Sequence, residues 1–200
     1  MRRLLNRIHP VIACLTLFAT LVPAAAEESA GEVVERLHQA LVDMASVEPM
    51  PDLAERIALI APVVRETHDL AGMGQFTVRR GWRTMSEDER DEFVEVFERL
   101  SLTTYASRFA SIGPDNFEIL RSEATGDQGA TVEAIIRRND GDDVPMEYLL
   151  ELQGENWRIV HVRADGVSEL SLMRSEYSGL LQSDGFSSLI AAIESEIAQL

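Results

Sequence analysis

Lysine is absent from this 200-residue chain, and cysteine occurs once, at Cys14. Cys14 falls inside the opening stretch MRRLLNRIHPVIACLTLFATLVPAAAEE, which has Arg2, Arg3 and Arg7 at its head, an apolar run from about Val11 to Val22, and Ala24-Ala25-Ala26 as a small-residue cleavage site. The pattern predicts a secretory signal peptide over 1–26 and a single domain over 27–200. That domain has no thiol, which excludes disulfides and a cysteine nucleophile. A long hydrophobic run is missing too: a membrane span needs roughly 18 apolar residues, and this run is shorter and broken by Pro23. Acylation of Cys14, as in a lipoprotein, would require cleavage inside the apolar run. Export together with an arginine-only basic set points to a bacterial, periplasmic protein.

Basic charge is scarce as well. Removing the three leader arginines from 18 basic residues leaves 15 against 34 acids, a formal charge of −19. Nucleic acid is disfavoured as a partner, because phosphate backbones need a concentrated basic face. Spontaneous adhesion or stable insertion into an anionic bilayer is disfavoured for the same reason. Any action at a membrane is therefore expected through docking to a protein there, although charge of this kind also simply keeps a domain soluble.

Signatures of chemistry are thin. His38, His68 and His161 include no pair at a metal-ligand spacing. The segment AGMGQF lacks both the preceding strand and the third glycine of a phosphate cradle, and no Gly-x-Ser-x-Gly elbow occurs. Tyr148 and His161 are the strand residues on which an isomerase or dehydratase reading could rest.

What is present is amphipathic pattern. Val33, Val34, Leu37, Leu41 and Met44 recur at helical spacing across 31–46, and Asp52 is a fair N-cap for a second helix that Pro62 should kink or split. AGMGQFTVRRGWRTM reads as a short helical turn or loop. Ser86 with Glu89 makes a capping box for a long helix with Phe93, Val96, Phe97, Leu100 and Thr104 on one face, ending near Arg108. After SIGPDN the period changes from 3.6 to 2, and four strands follow over 117–124, 130–138, 144–152 and 156–164, joined by turns of hairpin composition. Two helices close the chain, the first capped near Ser168 and the second starting after Gly185. The expected fold is α+β: helices packed on a curved four-stranded antiparallel sheet, in the manner of an NTF2-like cone. In the third strand Val144, Met146, Tyr148, Leu150 and Leu152 share one wholly apolar face, which can build either a dense core or a ligand cavity.

MGQFTVRRGWRTMSEDERDEFVEVFERLSLTTYASRF resembles the MlaC family of periplasmic phospholipid-shuttle proteins, the toluene-tolerance auxiliary components of an ABC transporter. The residues that carry the likeness are Trp82, Phe93, Phe97 and Tyr105-Ala106, then Tyr148, Trp157, Gly166-Val167-Ser168, and Arg174 to Tyr177. GVSELSLMRSEYSGLLQSDGFSSLIAAI is closer still to the hopanoid-associated HpnM branch. Family members commonly place Asp four residues after the strand Trp, where His161 stands here.

The resemblance implies a monomeric, non-enzymatic carrier without a cofactor or metal, whose cargo is a phospholipid or a hopanoid. It implies exchange with an inner-membrane ABC transporter complex, and with an outer-membrane lipoprotein complex in maintaining lipid asymmetry. The expected lipid-binding residues are Trp82, Phe93, Phe97, Tyr105, Met146, Tyr148, Leu150, Val160, Val162, Val167 and Met173. In the fourth strand Val160 and Val162 would face the cavity, while Trp157 and Ile159 lock the sheet to other elements. Arg79, Arg80 or Arg83 would neutralise the head-group phosphate. A cone-fold enzyme and an adaptor with a filled core are the alternatives.

Overall fold

The computed structural model describes residues 28–138 and 141–200; the expected signal peptide lies outside the described residues. Helices α1 (Ala30–Ala45), α2 (Leu53–Thr67), α3 (Leu70–Val78) and α4 (Glu87–Arg108) precede strands β1 (Phe117–Ala124), β2 (Gly129–Ile136), β3 (Val144–Gln153), β4 (Asn156–Ala164) and β5 (Val167–Ser168), and α5 (Glu169–Ser183) and α6 (Phe186–Ile197) follow. The sheet is antiparallel in the order β1-β2-β3-β4-β5. It has one strand more than the four expected, a two-residue return that delivers Ser168 to the start of α5.

Local sequence sets the helix starts. Ser29, Asp52 and Ser86 each accept a backbone N–H three residues on, and Glu32, Glu55 and Glu89 reach back to close the boxes. Replacing Ser86 by Ala leaves the orphan donor of α4 unmet and is expected to cost about 1 kcal/mol. In a thermal melt that is a loss of roughly 2–4 °C for a domain of this size.

Pro62 does not split the second helix, which runs from Leu53 to Thr67 although the missing N–H there removes a bond to the Ala58 carbonyl. The segment expected as a short helical turn or loop is a full nine-residue helix, α3, capped by the Asp69 carboxylate on the Gly72 N–H. Its glycine has a packing reason: a Cβ on Gly74 would lie 3.2 Å from the Phe97 ring, so α3 approaches α4 closely only with hydrogen there.

The inward sheet face is made of rows that the register defines. Ala130, Leu150 and Ile159 form one row; Val132, Tyr148 and Val162 the next; Ala134, Met146 and Ala164 the third. The outward face carries a ladder of ion pairs, Arg121 to Glu133 at 2.5 Å and Arg163 to Glu147 at 2.5 Å. One apolar face and one wet face is the ordinary solution for an antiparallel sheet. Helix α1 lies against β1, β2 and β4, burying Val33, Val34, Leu37 and Leu41, while α4 packs on α2, α3 and α6. The edge of β4 is covered where the Asp69 N–H donates to the Ile159 carbonyl at 3.0 Å, and Arg158 donates to the Arg65 and Glu66 carbonyls at the end of α2.

A bulge in β4 overturns the strict alternation expected for that strand. Leu149 pairs with His161 but Leu150 pairs with Ile159, so Val160 is left out of the ladder. The extra residue resets the phase. Trp157, Ile159, Val162 and Ala164 therefore share the inward face, and Val160 packs neither on the core nor with Val162.

Candidate functional site

Between the inward sheet face and the C-terminal half of α4 lies a cavity of about 250 Å³. Phe97, Leu100, Thr104 and Tyr105 line it from α4, with Phe109 beyond the helix end; Met146, Tyr148, Val162 and Ala164 line it from the sheet; Leu170 and Met173 close it from α5. The spacing of 97, 100, 104 and 105 is one helical stripe, and 146 with 148 is one strand face, so two periodicities meet across one space. The lining is hydrocarbon except for a few hydroxyls and one charged pair, Arg108 with Glu169.

Of the residues expected to bind lipid, Phe97, Tyr105, Met146, Tyr148, Val162 and Met173 line this cavity. Phe93 and Leu150 are buried in the core beside it. Trp82 sits edge-on to Phe93 at 6.4 Å with the Arg90 guanidinium 5.5 Å over its ring, bracing the turn before α4. Val167 is half exposed on β5, and Val160 is excluded from the wall by the bulge. Arg79, which ends α3 at φ +31°, and Arg80 and Arg83 in the following turn do not line the cavity. Sequence reasoning passed over Leu100 and Thr104 as binding residues although both lie on the stripe it identified. Arg108, Glu169 and Ala164 were not expected there either; they come from the end of α4, the start of α5 and β4, which only the tertiary fold brings around one space.

Two buried histidines hold the polar atoms of the wall. The Tyr105 hydroxyl lies 2.8 Å from His68 Nε2, and the Tyr148 hydroxyl 2.9 Å from His38 Nε2. His68 Nδ1 lies 2.9 Å from Thr67 Oγ1 and 3.1 Å from the Val64 carbonyl; Thr67 gives its own proton to the Val63 carbonyl at 2.7 Å, so both neighbours of Nδ1 accept, Nδ1 carries the proton and Nε2 accepts from Tyr105. The His38 ring stacks on Phe117 at 4.1 Å. Burial pushes both imidazoles down to about 4 and raises both tyrosines above their ordinary range, Tyr148 well above it. At neutral pH all four groups are uncharged. Among the described residues no buried side-chain polar atom lacks a partner. Tyr148→Phe strands the His38 nitrogen and is expected to cost about 1–3 kcal/mol in urea denaturation.

The pair considered for catalysis is not assembled. Tyr148 stands opposite Val162 on the inward face, whereas His161 stands opposite Leu149 on the other, takes Ser168 Oγ at 2.7 Å and meets Phe76 edge-to-face with ring centroids 5.8 Å apart. A wider groove of about 560 Å³ lies between α1 and β1, lined by Glu32, Glu35 and Gln39. His38 and Phe117 stand in that groove's wall, with Tyr148 on the cavity side of the same partition. No helix among the described residues is long and apolar enough to cross a membrane, and none of their His, Cys, Asp and Glu side chains gather in a group that could hold a metal ion.

The geometry has a counterpart in known proteins. A phospholipid-binding protein from Ralstonia solanacearum, solved in complex with a phospholipid, superposes with a TM-score of 0.76 at 16% sequence identity, covering 86% of this chain and 98% of that one. At that identity the likeness establishes the fold. A search of curated proteins gives no match. The model of the MlaC protein family matches residues 32–195, from the first turn of α1 to the last of α6, and the chain belongs to that family.

Proposed function

We propose that this protein is a soluble, monomeric periplasmic carrier that takes the acyl chains of a phospholipid into the cavity between α4, α5 and the sheet. It carries them between membranes by exchange with an inner-membrane ABC transporter complex and an outer-membrane lipoprotein complex. The observation that carries the reading is a hydrocarbon-lined space on the buried face of the sheet, in a family fold whose solved neighbour was determined with a phospholipid. Each methylene moved from water into such a space gains about 0.8 kcal/mol, so a chain of ten or more is retained without any covalent chemistry. Acyl-chain uptake itself needs no acid, base or metal, and both buried histidines are engaged by tyrosine hydroxyls.

The volume sets a condition on loading. An apolar cavity of about 150 Å³ takes benzene, and small-molecule sites run from about 300 Å³ upward. At about 250 Å³ this cavity accommodates a length of one chain, and a whole two-chain lipid requires it to widen. Release then falls to a partner that widens the same cavity.

The test is chemical. Protein exported in a Gram-negative host, purified and extracted with organic solvent, is expected to yield one phospholipid per chain by mass spectrometry. A hopanoid at the same stoichiometry would keep the carrier and change its cargo; an extract without lipid, from protein that also refuses lipid offered in vesicles, would leave the filled-core adaptor.

A further inference from the structure

We propose that Arg108 reads the phosphate of the cargo at the cavity mouth, and that Glu169 holds its guanidinium as an exchangeable stand-in for that phosphate. The inference rests on the carrier reading and adds the group that recognises the head.

Among the described residues lining the cavity, Arg108 is the single cation and Glu169 the single anion, and they pair with each other. Arg108 is the last residue of α4 and Glu169 the first of α5, so the pair ties the two helices that flank the space. Their side chains are 53% and 47% exposed, whereas Tyr148 at the other side of the space is 2% exposed. The charged pair thus marks the wet end and the apolar residues the dry end. An amphiphile with its tails among Leu100, Met146 and Val162 must leave its polar group at that wet end, beside Arg108.

Chemistry then selects the head. A guanidinium presents parallel N–H donors that fit two oxygens of a carboxylate or a phosphodiester alike. A half-exposed ion pair contributes little to stability, so replacing Glu169 by a lipid phosphate costs the fold almost nothing. It also releases the ion pair that joins the end of α4 to the start of α5 beside the cavity. A diacylglycerol with the same tails offers no anion and leaves the pair closed.

The experiment compares uptake of dioleoyl phosphatidylglycerol and dioleoylglycerol, offered separately in the same detergent, by the delipidated full mature chain. Wild-type protein is expected to favour the phospholipid, and Arg108→Gln to lower the ratio of the two loads about ten-fold, with an unchanged near-UV spectrum as the check on folding. Arg108→Lys should fall between them, since it keeps the charge and loses the fork. Glu169→Gln should raise phospholipid uptake about three-fold by removing the competitor. Arg121→Gln, on the outward sheet face, should leave the ratio unaltered. Inorganic phosphate alone, at millimolar concentration, should not shift the Arg108 side-chain NMR signal; a saturating shift would make this a free-anion site and overturn the assignment. An unaltered ratio in Arg108→Gln would also overturn it while leaving the carrier standing. Uptake of neither lipid by wild-type protein would remove both.

Discussion

Glutamate at Val162 is expected to strip the purified protein of lipid, while glutamate two residues earlier, at Val160, leaves the load within about two-fold of wild type. Strict alternation would put both side chains on one wall and have both variants fail. The bulge separates them: Val162 pairs with Tyr148 and lines the cavity, whereas Val160 is out of the ladder and off the core. A carboxylate on the wall keeps its water, and that water displaces at least two or three methylenes at about 0.8 kcal/mol each. The affinity loss is about ten-fold or greater. Val162 is only half buried, so the variant should still unfold cooperatively and within several degrees of wild type. Glutamate at Tyr148 would be a poorer test, because that side chain is 2% exposed and bonded to His38, and its loss attacks the core itself. Equal loss of lipid in the Val160 and Val162 variants would contradict the register.

Acid should unfold the protein over a defined window. His38 and His68 titrate near 4 in the fold because burial disfavours the imidazolium, against about 6.5 in an unfolded chain. Above pH 6.5 neither state binds the protons, and these groups leave stability level. As pH falls from 6.5 to 4 the unfolded chain takes up two protons that the folded one refuses, so stability drops; below 4 both states are protonated and the loss is complete. Each histidine removes about 3 kcal/mol over that span, and the two together remove an amount comparable to the whole stability of an ordinary domain. Urea midpoints at pH 7, 5.5 and 4 measure the fall. His38→Gln, which keeps a hydrogen-bonding group for Tyr148, should halve the pH-dependent part, a comparison that subtracts the carboxylates. A midpoint equally sensitive to pH in wild type and in the His38→Gln, His68→Gln double variant would contradict the neutral, buried assignment.

What could be read from the chain follows the range of the forces involved. The capping box at Ser86 and Glu89, the stripe from Phe93 to Thr104 and the apolar face of β3 are set within a few residues, and they stand in the structure where the pattern put them. The length of α3, read as a short helical turn or loop, was hidden because two glycines in nine residues weaken helix propensity; the Asp69 cap and the packing of α3 on α4 and α5 supply what the sequence pattern lacks. The bulge at Val160 was hidden because it depends on a distant backbone: the α2–α3 junction at His68 and Asp69 bridges to Ile159 across the edge of β4.

The site shows the same division. Tyr105 and Tyr148 were legible as wall residues, but their histidine partners stand 37 and 110 positions away, and no spacing rule couples them. Arg108 and Glu169 meet across 61 positions for the same reason. Arg79, Arg80 and Arg83, expected at the head group, are not among the residues that line the cavity.

The central claim is that acyl chain enters the space between α4, α5 and the sheet, and methionine methyls report on it directly. Met73, Met146 and Met173 line that space, Met44 and Met85 are buried elsewhere, and Met50 is 48% exposed. With methyl-labelled protein loaded with a phospholipid carrying a nitroxide midway along one chain, the account predicts that the signals of Met73, Met146 and Met173 are broadened while that of Met50 keeps its intensity. Broadening of Met50 with the three cavity methyls untouched would place the lipid on the surface and contradict it.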